Sequence, residues 1–370
     1  QQALDMSLGR GGDQAAVKTE NGFVFFGGLS KGVEKRTKVK TRIVANALSE
    51  LIQNADRVLV MGHKFGDLDC VGAAVGLAYA IRTIGKQADV VIDREKTLAN
   101  GVVEMVTKEG CGNLFVNPSD ALFNITEDTL LIICDTHTVN LVESADIYNR
   151  CKTVVVIDHH RKMVNHIDNA VIFYHEPYAS SASEMVTELI QYMGDNCRIN
   201  AVVAQALLSG IMLDTRNFVL RTGVRTFEAA AYLRRIGADT ITVRKLFSST
   251  MDSYQRRSRI VAAAQIYKKC AVAESDFYSD DMRIVAPQAA DELLGIDGVD
   301  GSFVLYEKDG TISISARSMG AINVQIIMES LGGGGHHTMA ATQIRGMEME
   351  KVKQMLLEAI DKYYETHPAS

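Results

Sequence analysis

The chain has 370 residues, 47% of them hydrophobic, which is enough for ordinary globular cores and sets two or three domains as the expectation. Its formal net charge is −6, so no overall basic field gathers long nucleic acid, and an anionic ligand needs locally arranged positive charge. No apolar run approaches the ~20 residues of a spanning helix and no signal peptide is visible; the six cysteines, at 70, 111, 134, 151, 197 and 270, contain no C-x-x-C pair, which excludes a zinc framework of that kind and suits reduced thiols in a cytosol-like compartment.

The chain does not begin with Met and reads as a fragment of a longer protein. Residues 2–8 are helical in composition, 9–12 form a turn, and 15–17 with 23–26 read as a hairpin. A basic segment, Lys31 to Arg42, reads as a solvated linker or helix face. From residue 43 helix and strand alternate: a helix over 43–55, a strand over 57–61, a helix over 69–85 ended by Gly85, and strands over 88–92, 129–134 and 153–157. Short apolar strands alternating with helices predict a parallel sheet covered on both faces, with ligands at the carboxyl ends of its strands. Helices follow over 183–193 and 201–213. Residues 226–270 are helical and charged and read as a bridge. A smaller unit then carries strands near 271–275, 282–286, 302–307 and 311–317, a helix over 321–330, glycines 332–335, a strand near 340–345 and a helix over 348–365.

Three of the predicted strands run straight into acidic or histidine residues. The first leads to His63, Asp67 and Asp69, a cluster that is costly to hold together without a cation. One of these carboxylates could instead cap the next helix, but that leaves the other and the histidine unexplained. The second strand ends at Asp135, suited to bridging two metals and, in isolation, an ordinary turn residue. The third ends at Asp158-His159-His160, where His159 suits ligation and Asp158 and His160 suit the surrounding shell, with His160 also able to donate to a phosphate. Asp214 closes a predicted helix. Six ligands over four islands fit a pair of divalent ions, Mn²⁺ or Mg²⁺ by their hard donors. Cys70 and Cys134 read as small buried hydrophobes, His137 as a neighbour of Asp135, and His166 and His175 as ordinary residues.

A second feature is the run Gly332 to Gly335 followed by His336 and His337, whose backbone amides can approach an anion closely. Arg317, at the end of a predicted strand, can reach a phosphate bidentately and is equally readable as a surface arginine. Ser180, Ser181 and Ser183 precede a helix and read as capping residues, with a phosphate contact as the sharper alternative.

These islands resemble the DHH phosphoesterase family, whose triplet stands here at 158–160, and the run at 332–337 resembles the signature of the DHH-associated domain. Within that family the chain most resembles the GdpP-type cyclic di-AMP phosphodiesterases, through residues 61–72, 180–186, 313–323 and 331–343. The resemblance implies a parallel-sheet α/β DHH domain over 43–225, a basic linker over 29–42 before it, a helical linker over 226–270, and a smaller α/β DHH-associated domain over 271–366, with the active site in the cleft between the two. Residues 1–28, with Gly9 to Gln14, resemble the tail of a degenerate GGDEF domain, which implies a cytoplasmic fragment of a parent anchored in the cell membrane by upstream helices. The resemblance assigns one metal to His63, Asp67 and Asp135 and a second to Asp69, Asp135, His159 and Asp214, with Mn²⁺ foremost and Mg²⁺ or Co²⁺ as alternatives. His160 and Asp158 are then the catalytic pair, and Ser181, Arg317, Gly333, Gly334, Gly335 and His336 the substrate contacts. His337 occupies a position that varies in the family. The expected reaction opens cyclic di-AMP to linear pApA by hydroxide attack at phosphorus. Alternatives at this point are a nano-RNase acting on short linear dinucleotides, more distantly a pyrophosphatase, and a non-catalytic cyclic-nucleotide sensor. The expected partner is the cyclic dinucleotide, with no long nucleic acid and no membrane contact by this fragment; homodimerisation stays open.

Overall fold

The computed structural model describes residues 3, 4, 7, 14–19, 22–27, 38–163, 165–248, 250–335 and 337–367. The chain divides into two units, residues 1–247 and 248–370. The division falls inside the 226–270 stretch read as a bridge. The expected turn at 9–12, most of the 2–8 helix and the first part of the basic segment lie outside the described residues. The expected hairpin is present as β1 (Gln14–Thr19) against β2 (Gly22–Gly27).

In the first unit, chain order runs α1 (Lys38–Asn54), β3 (Arg57–Met61), α2 (Leu68–Thr83), β4 (Ala88–Val91), α3 (Asn100–Val106), β5 (Phe115–Val116), α4 (Pro118–Phe123), β6 (Thr129–Cys134), α5 (Ala145–Arg150), β7 (Thr153–Asp158), β8 (Ile172–His175), α6 (Ala182–Ile190), α7 (Ala201–Asp214), α8 (Val224–Ile236) and α9 (Thr240–Leu246). The helix expected from residue 43 begins at Lys38, so the end of the basic segment lies on α1. The strands form a wholly parallel sheet in the order β5-β4-β3-β6-β7-β8. Their unbroken apolar runs follow from burial on both faces. Val58, Val60, Ile132, Val155 and Ile157 enter one core with α2, α6 and α7. The alternate residues Leu59, Met61, Leu131, Ile133, Val154 and Val156 enter the other with α4 and α5. The expected parallel sheet with helices on both faces is what forms.

Helix α2 approaches α7 closely because it is built from small residues. A Cβ on Gly72 would lie 2.4 Å from the Ala206 carbonyl oxygen, and one on Gly76 would lie 2.6 Å from the Leu207 side chain. The centre of the sheet, β3-β6-β7, therefore has all its carboxyl ends on one edge, beside the start of α2.

In the second unit, α10 (Met251–Ala262), β9 (Gln265–Tyr267), β10 (Cys270–Glu274), α11 (Met282–Leu293), β11 (Gly301–Lys308), β12 (Thr311–Ser318), α12 (Val324–Ser330), β13 (Gly334–Gly335), β14 (Met339–Arg345) and α13 (Met349–Thr366) make a mixed sheet of order β13-β14-β12-β11-β10-β9. Among the described residues only β10 and β11 pair in parallel in this sheet. The expected strand at 282–286 is instead the start of α11. Its apolar residues continue as Met282, Val285, Ala286, Ala289, Ala290 and Leu293, all buried, and that spacing is helical despite Pro287. Among the described residues no helix is long and apolar enough to cross a membrane.

Candidate metal centre

Sheet connectivity brings the four sequence islands together. His63 follows β3 by one residue, Asp135 follows β6 directly, Asp158 ends β7, and His159 and His160 come next. Asp67 is the N-cap of α2, its Oδ1 accepting the N–H groups of Asp69 and Cys70 at 3.0 Å each. Asp214 is the last residue of α7. The capping explanation thus applies to Asp67 Oδ1 and accounts for neither Asp69 nor the histidine.

Asp135 lies at the middle of this arrangement. Its backbone is left-handed, with φ +63, a conformation that costs a non-glycine residue energy and recurs at functional sites. Its Oδ2 is 3.5 Å from His63 Nε2 and its Oδ1 3.3 Å from His159 Nε2. His159 Nε2 is also 3.1 Å from Asp214 Oδ2 and 3.9 Å from Asp69 Oδ2. Atoms ~2.1 Å from a shared cation at right angles are about 3 Å apart, so these spacings suit ligands of common ions. Asp69, His159 and Asp214 form one compact group, and Asp135, His159 and His160 another. A third joins His63 and Asp135 with Cys70 rather than with Asp67, which stands 3.9 Å from His63 Nε2. Burial pushes the Cys70 thiol up to about 11, so it stays protonated, as expected of a small buried hydrophobe.

The donor set passes a second test. Asp135 Oδ1 and both ring nitrogens of His159 are buried with no hydrogen-bond partner. Buried polar atoms are almost always paired, and two of these orphans, Asp135 Oδ1 and His159 Nε2, face each other at 3.3 Å, which fits a shared cation. Burial disfavours charge on Asp69, and the neighbouring Asp135 and Asp214 add to this, holding its carboxyl well above the usual range. Around His159 burial also opposes charge, but Asp135 and Asp214 outweigh it and raise its pKa.

Asp158 makes no contact of this kind. It is fully buried, and its Oδ1 accepts from His160 Nδ1 at 2.9 Å and from the His160 N–H at 3.2 Å. His137 Nδ1 donates to its Oδ2. Burial works against the charge, but the hydrogen bonds from His137 and His160 prevail and hold the carboxyl well below its ordinary value. His160 therefore has its Nδ1 tied inward, while its side chain remains 42% exposed.

Three more residues complete the support, of which the sequence pointed only to His137. His137 and His175, one left as a neighbour and the other as ordinary, both hold the triplet: His175 Nε2 donates to the His160 carbonyl. Gly210 on α7 makes room for Asp69, since a Cβ there would lie 2.6 Å from Asp69 Oδ1. A glycine inside an apolar helix pattern was the available signal.

The expected substrate contacts fare differently. Ser181 is fully buried and its Oγ caps α6 by accepting the Glu184 N–H at 3.0 Å, the capping role rather than the phosphate one. The anion at that helix start is Asp69, whose oxygens accept the N–H groups of Ala182 at 2.7 Å and Ser183 at 2.8 Å. In the second unit Arg317 Nε lies 3.3 Å from Asp291 Oδ1 and Nη1 donates to the Ala316 carbonyl at 2.9 Å. Gly333 is required by the fold: a Cβ would lie 2.2 Å from the Ala341 carbonyl. Gly335 is equally constrained, with a Cβ 2.4 Å from the Met339 carbonyl, whereas Gly334 meets nothing within 4 Å. His336 lies outside the described residues.

Residues 57–211 match the model of the DHH family, N-terminal domain, and residues 268–366 match the DHHA1 domain. The chain is 45% identical over 371 residues to cyclic-di-AMP phosphodiesterase GdpP of Geobacillus thermodenitrificans (strain NG80-2), covering 99% of this chain and 56% of that protein. It is 42% identical over 370 residues to cyclic-di-AMP phosphodiesterase PdeA of Listeria monocytogenes serotype 1/2a (strain 10403S), covering 98% and 56%. The chain thus spans a little over half the length of the curated relatives it matches. A solved exopolyphosphatase-related protein from Bacteroides fragilis has a TM-score of 0.74 at 20% identity, with 88% of this chain and 97% of that one covered, and shares the fold. With both domain models matched in this order and the triplet at 158–160 inside the first, the chain belongs to the DHH family.

Proposed function

We propose that this chain is a metal-dependent phosphodiesterase that opens cyclic di-AMP to linear pApA. The observation that carries the reading is the Asp135 carboxylate, whose Oδ2 faces His63 and whose Oδ1, buried without a hydrogen bond, faces His159. A carboxylate so placed would suit two cations, one on each oxygen. Asp69, His159 and Asp214 would hold one ion, and His63 with Asp67 the other, Asp135 serving both. Carboxylates and imidazoles suit Mn²⁺, then Mg²⁺ or Co²⁺. When bound, the ions would supply Lewis-acid polarisation of the phosphate and lower the pKa of a nearby water. The substrate class comes from the relatives named for cyclic di-AMP phosphodiesterase activity.

Opening the ring breaks one P–O3′ bond; phosphorus gains hydroxide from water and the leaving 3′-oxygen gains the proton. His160 suits delivery of that proton. Crowding and the nearby His159 oppose charge on His160, but Asp158 and Asp135 outweigh them and raise its pKa. Its Nδ1 is held by Asp158, so Nε2 is the nitrogen left to face a substrate. Asp158 itself orients and does not ligate. Gly334, whose lack of a side chain the fold does not require, is the backbone in the second unit best suited to approach a phosphate. Incubating the Mn²⁺-loaded protein with cyclic di-AMP should yield pApA, and no product would overturn the proposal. A variant with alanines at 158–160 should be inactive.

A further inference from the structure

We propose that His137 is a positioning residue that fixes the orientation and tautomer of the Asp158–His160 pair. His137 is buried near the start of the loop that leaves β6, and its own ring hydrogen bonds settle which nitrogen carries the proton. The Met163 N–H donates to His137 Nε2 at 2.9 Å, so Nε2 is an acceptor. The proton of a neutral ring then sits on Nδ1, the nitrogen that meets Asp158 Oδ2. The ring itself has little freedom. It packs edge-on against Phe173 at 6.2 Å and against His175 at 5.5 Å, and the His137 carbonyl accepts the Ile167 N–H at 2.8 Å.

The consequence passes to His160. With Oδ2 of Asp158 taken by His137, only Oδ1 is left for the triplet, and it accepts both the His160 N–H and His160 Nδ1. Among the described residues the hydrogen bonds to the Asp158 carboxylate come from His137 and His160, and a carboxylate so held cannot rotate. His160 is fixed with Nδ1 inward and Nε2 outward. Without the His137 donor, a buried oxygen would be orphaned and Asp158 would be free to turn, releasing His160.

The role given to His160 rests on the phosphodiesterase reading; the tautomer of His137 does not, so the experiment has two arms. Asn at 137 places an amide N–H near the position of imidazole Nδ1, whereas Phe keeps the ring volume and the contact with Phe173 but has no donor. The Mn²⁺-loaded wild type, His137→Asn and His137→Phe are compared on cyclic di-AMP. We expect kcat to fall ~100-fold in His137→Phe with KM changed less than ~3-fold, and to stay within ~10-fold of wild type in His137→Asn. A purely packing role reverses that order. Phe as active as Asn would overturn the proposal. In the metal-free protein, nitrogen-15 imidazole spectra should show His137 and His160 protonated at Nδ1, with His160 becoming a mixture of tautomers in His137→Phe. An Nε2-protonated His137, or an unchanged His160 in the Phe variant, would also overturn it. A wild type that hydrolyses no cyclic di-AMP would remove the proposed function, while the spectra would still decide the role of His137.

Discussion

Asp69 and Ser183 are joined by a 2.8 Å hydrogen bond from the Ser183 N–H to Oδ1, across 114 residues of chain. Oδ2 takes the Ala182 N–H at 2.7 Å. One carboxylate thus faces His159 and also closes the N-terminus of α6, where the helix dipole favours negative charge. The metal centre and the α2–α6 packing share a residue, so damage to one reaches the other.

Substitutions at Asp69 should separate these roles. Asp69→Asn removes the charge that Asp135 and Asp214 oppose and keeps one oxygen to accept an amide. It should lose metal binding, while in the metal-free protein it leaves one N–H without an acceptor rather than two. Asp69→Ala leaves two buried N–H groups without acceptors, at roughly 1–3 kcal/mol each, and should be less stable than the Asn variant by about 2 kcal/mol. Urea unfolding in chelator measures the difference. Equal stability of the two variants would remove the capping role.

Gly210 sets how closely α7 can pass this carboxylate. A Cβ there would lie 2.2 Å from Ser183 Oγ and 2.7 Å from Asp69 Cα. Glycine to alanine inside a helix ordinarily stabilises by about 1 kcal/mol, but overpacking should outweigh that gain here. Gly210→Ala should be less stable than wild type and bind Mn²⁺ at least ~10-fold more weakly by calorimetry. A raised melting temperature with unchanged affinity would show that Asp69 is held without help from α7.

What was legible in the sequence was the convergence: β3, β6 and β7 each run from an apolar strand into a polar loop, and neighbouring parallel strands must bring such loops together. Asp214 was weak by itself, because a helix-ending Asp has many explanations, and only the packing of α7 against α2 brings it to 3.1 Å from His159. His137 was legible as a supporting neighbour of Asp135, though not its partner Asp158, and His175 was not legible as a support, since its partner lies on another strand and no local spacing announces it. The strand expected at 282–286 failed for a different reason. Five residues are too short a window to distinguish alternation from helical spacing, and the deciding positions, Ala289, Ala290 and Leu293, lie beyond it. Ser181 shows the opposite limit: a serine before a helix suggests a cap, and here the cap is what forms.

The glycine run offers a paired test in the second unit. Gly333 packs against the Ala341 carbonyl and the Thr342 backbone, so Gly333→Ala must push β13 off β14 and should lower the melting temperature by several degrees. Gly334→Ala meets open space and should leave it unchanged. If the Gly334 backbone approaches a phosphate, the same variant should raise KM for cyclic di-AMP ~10-fold or more. An unaltered KM would take Gly334 out of substrate binding.

Protons and cations should compete at this centre, with a sign set by the crowded carboxylates. Surrounding protein, then the Asp135 and Asp214 charges, push Asp67 up to about 6, and Asp69 shifts in the same direction. Between the ordinary carboxylate range and pH ~6 the native state therefore holds a proton at Asp67 that the unfolded chain has lost. By linkage, this group's contribution to the stability of the metal-free protein falls as pH rises through that window. A bound divalent cation takes the place of the proton and removes the repulsion, so its stabilisation should grow over the same range. The shift in melting temperature on adding Mn²⁺ should be small near pH 5 and large at pH 7.5, and Asp67→Asn should flatten the curve. Cys70→Ala should leave the shift within ~1 °C of wild type, because the hard carboxylate and imidazole donors around it suit Mn²⁺ better than a thiolate does. A Mn²⁺ shift lost in Cys70→Ala would instead make the thiolate a ligand beside His63 and Asp135.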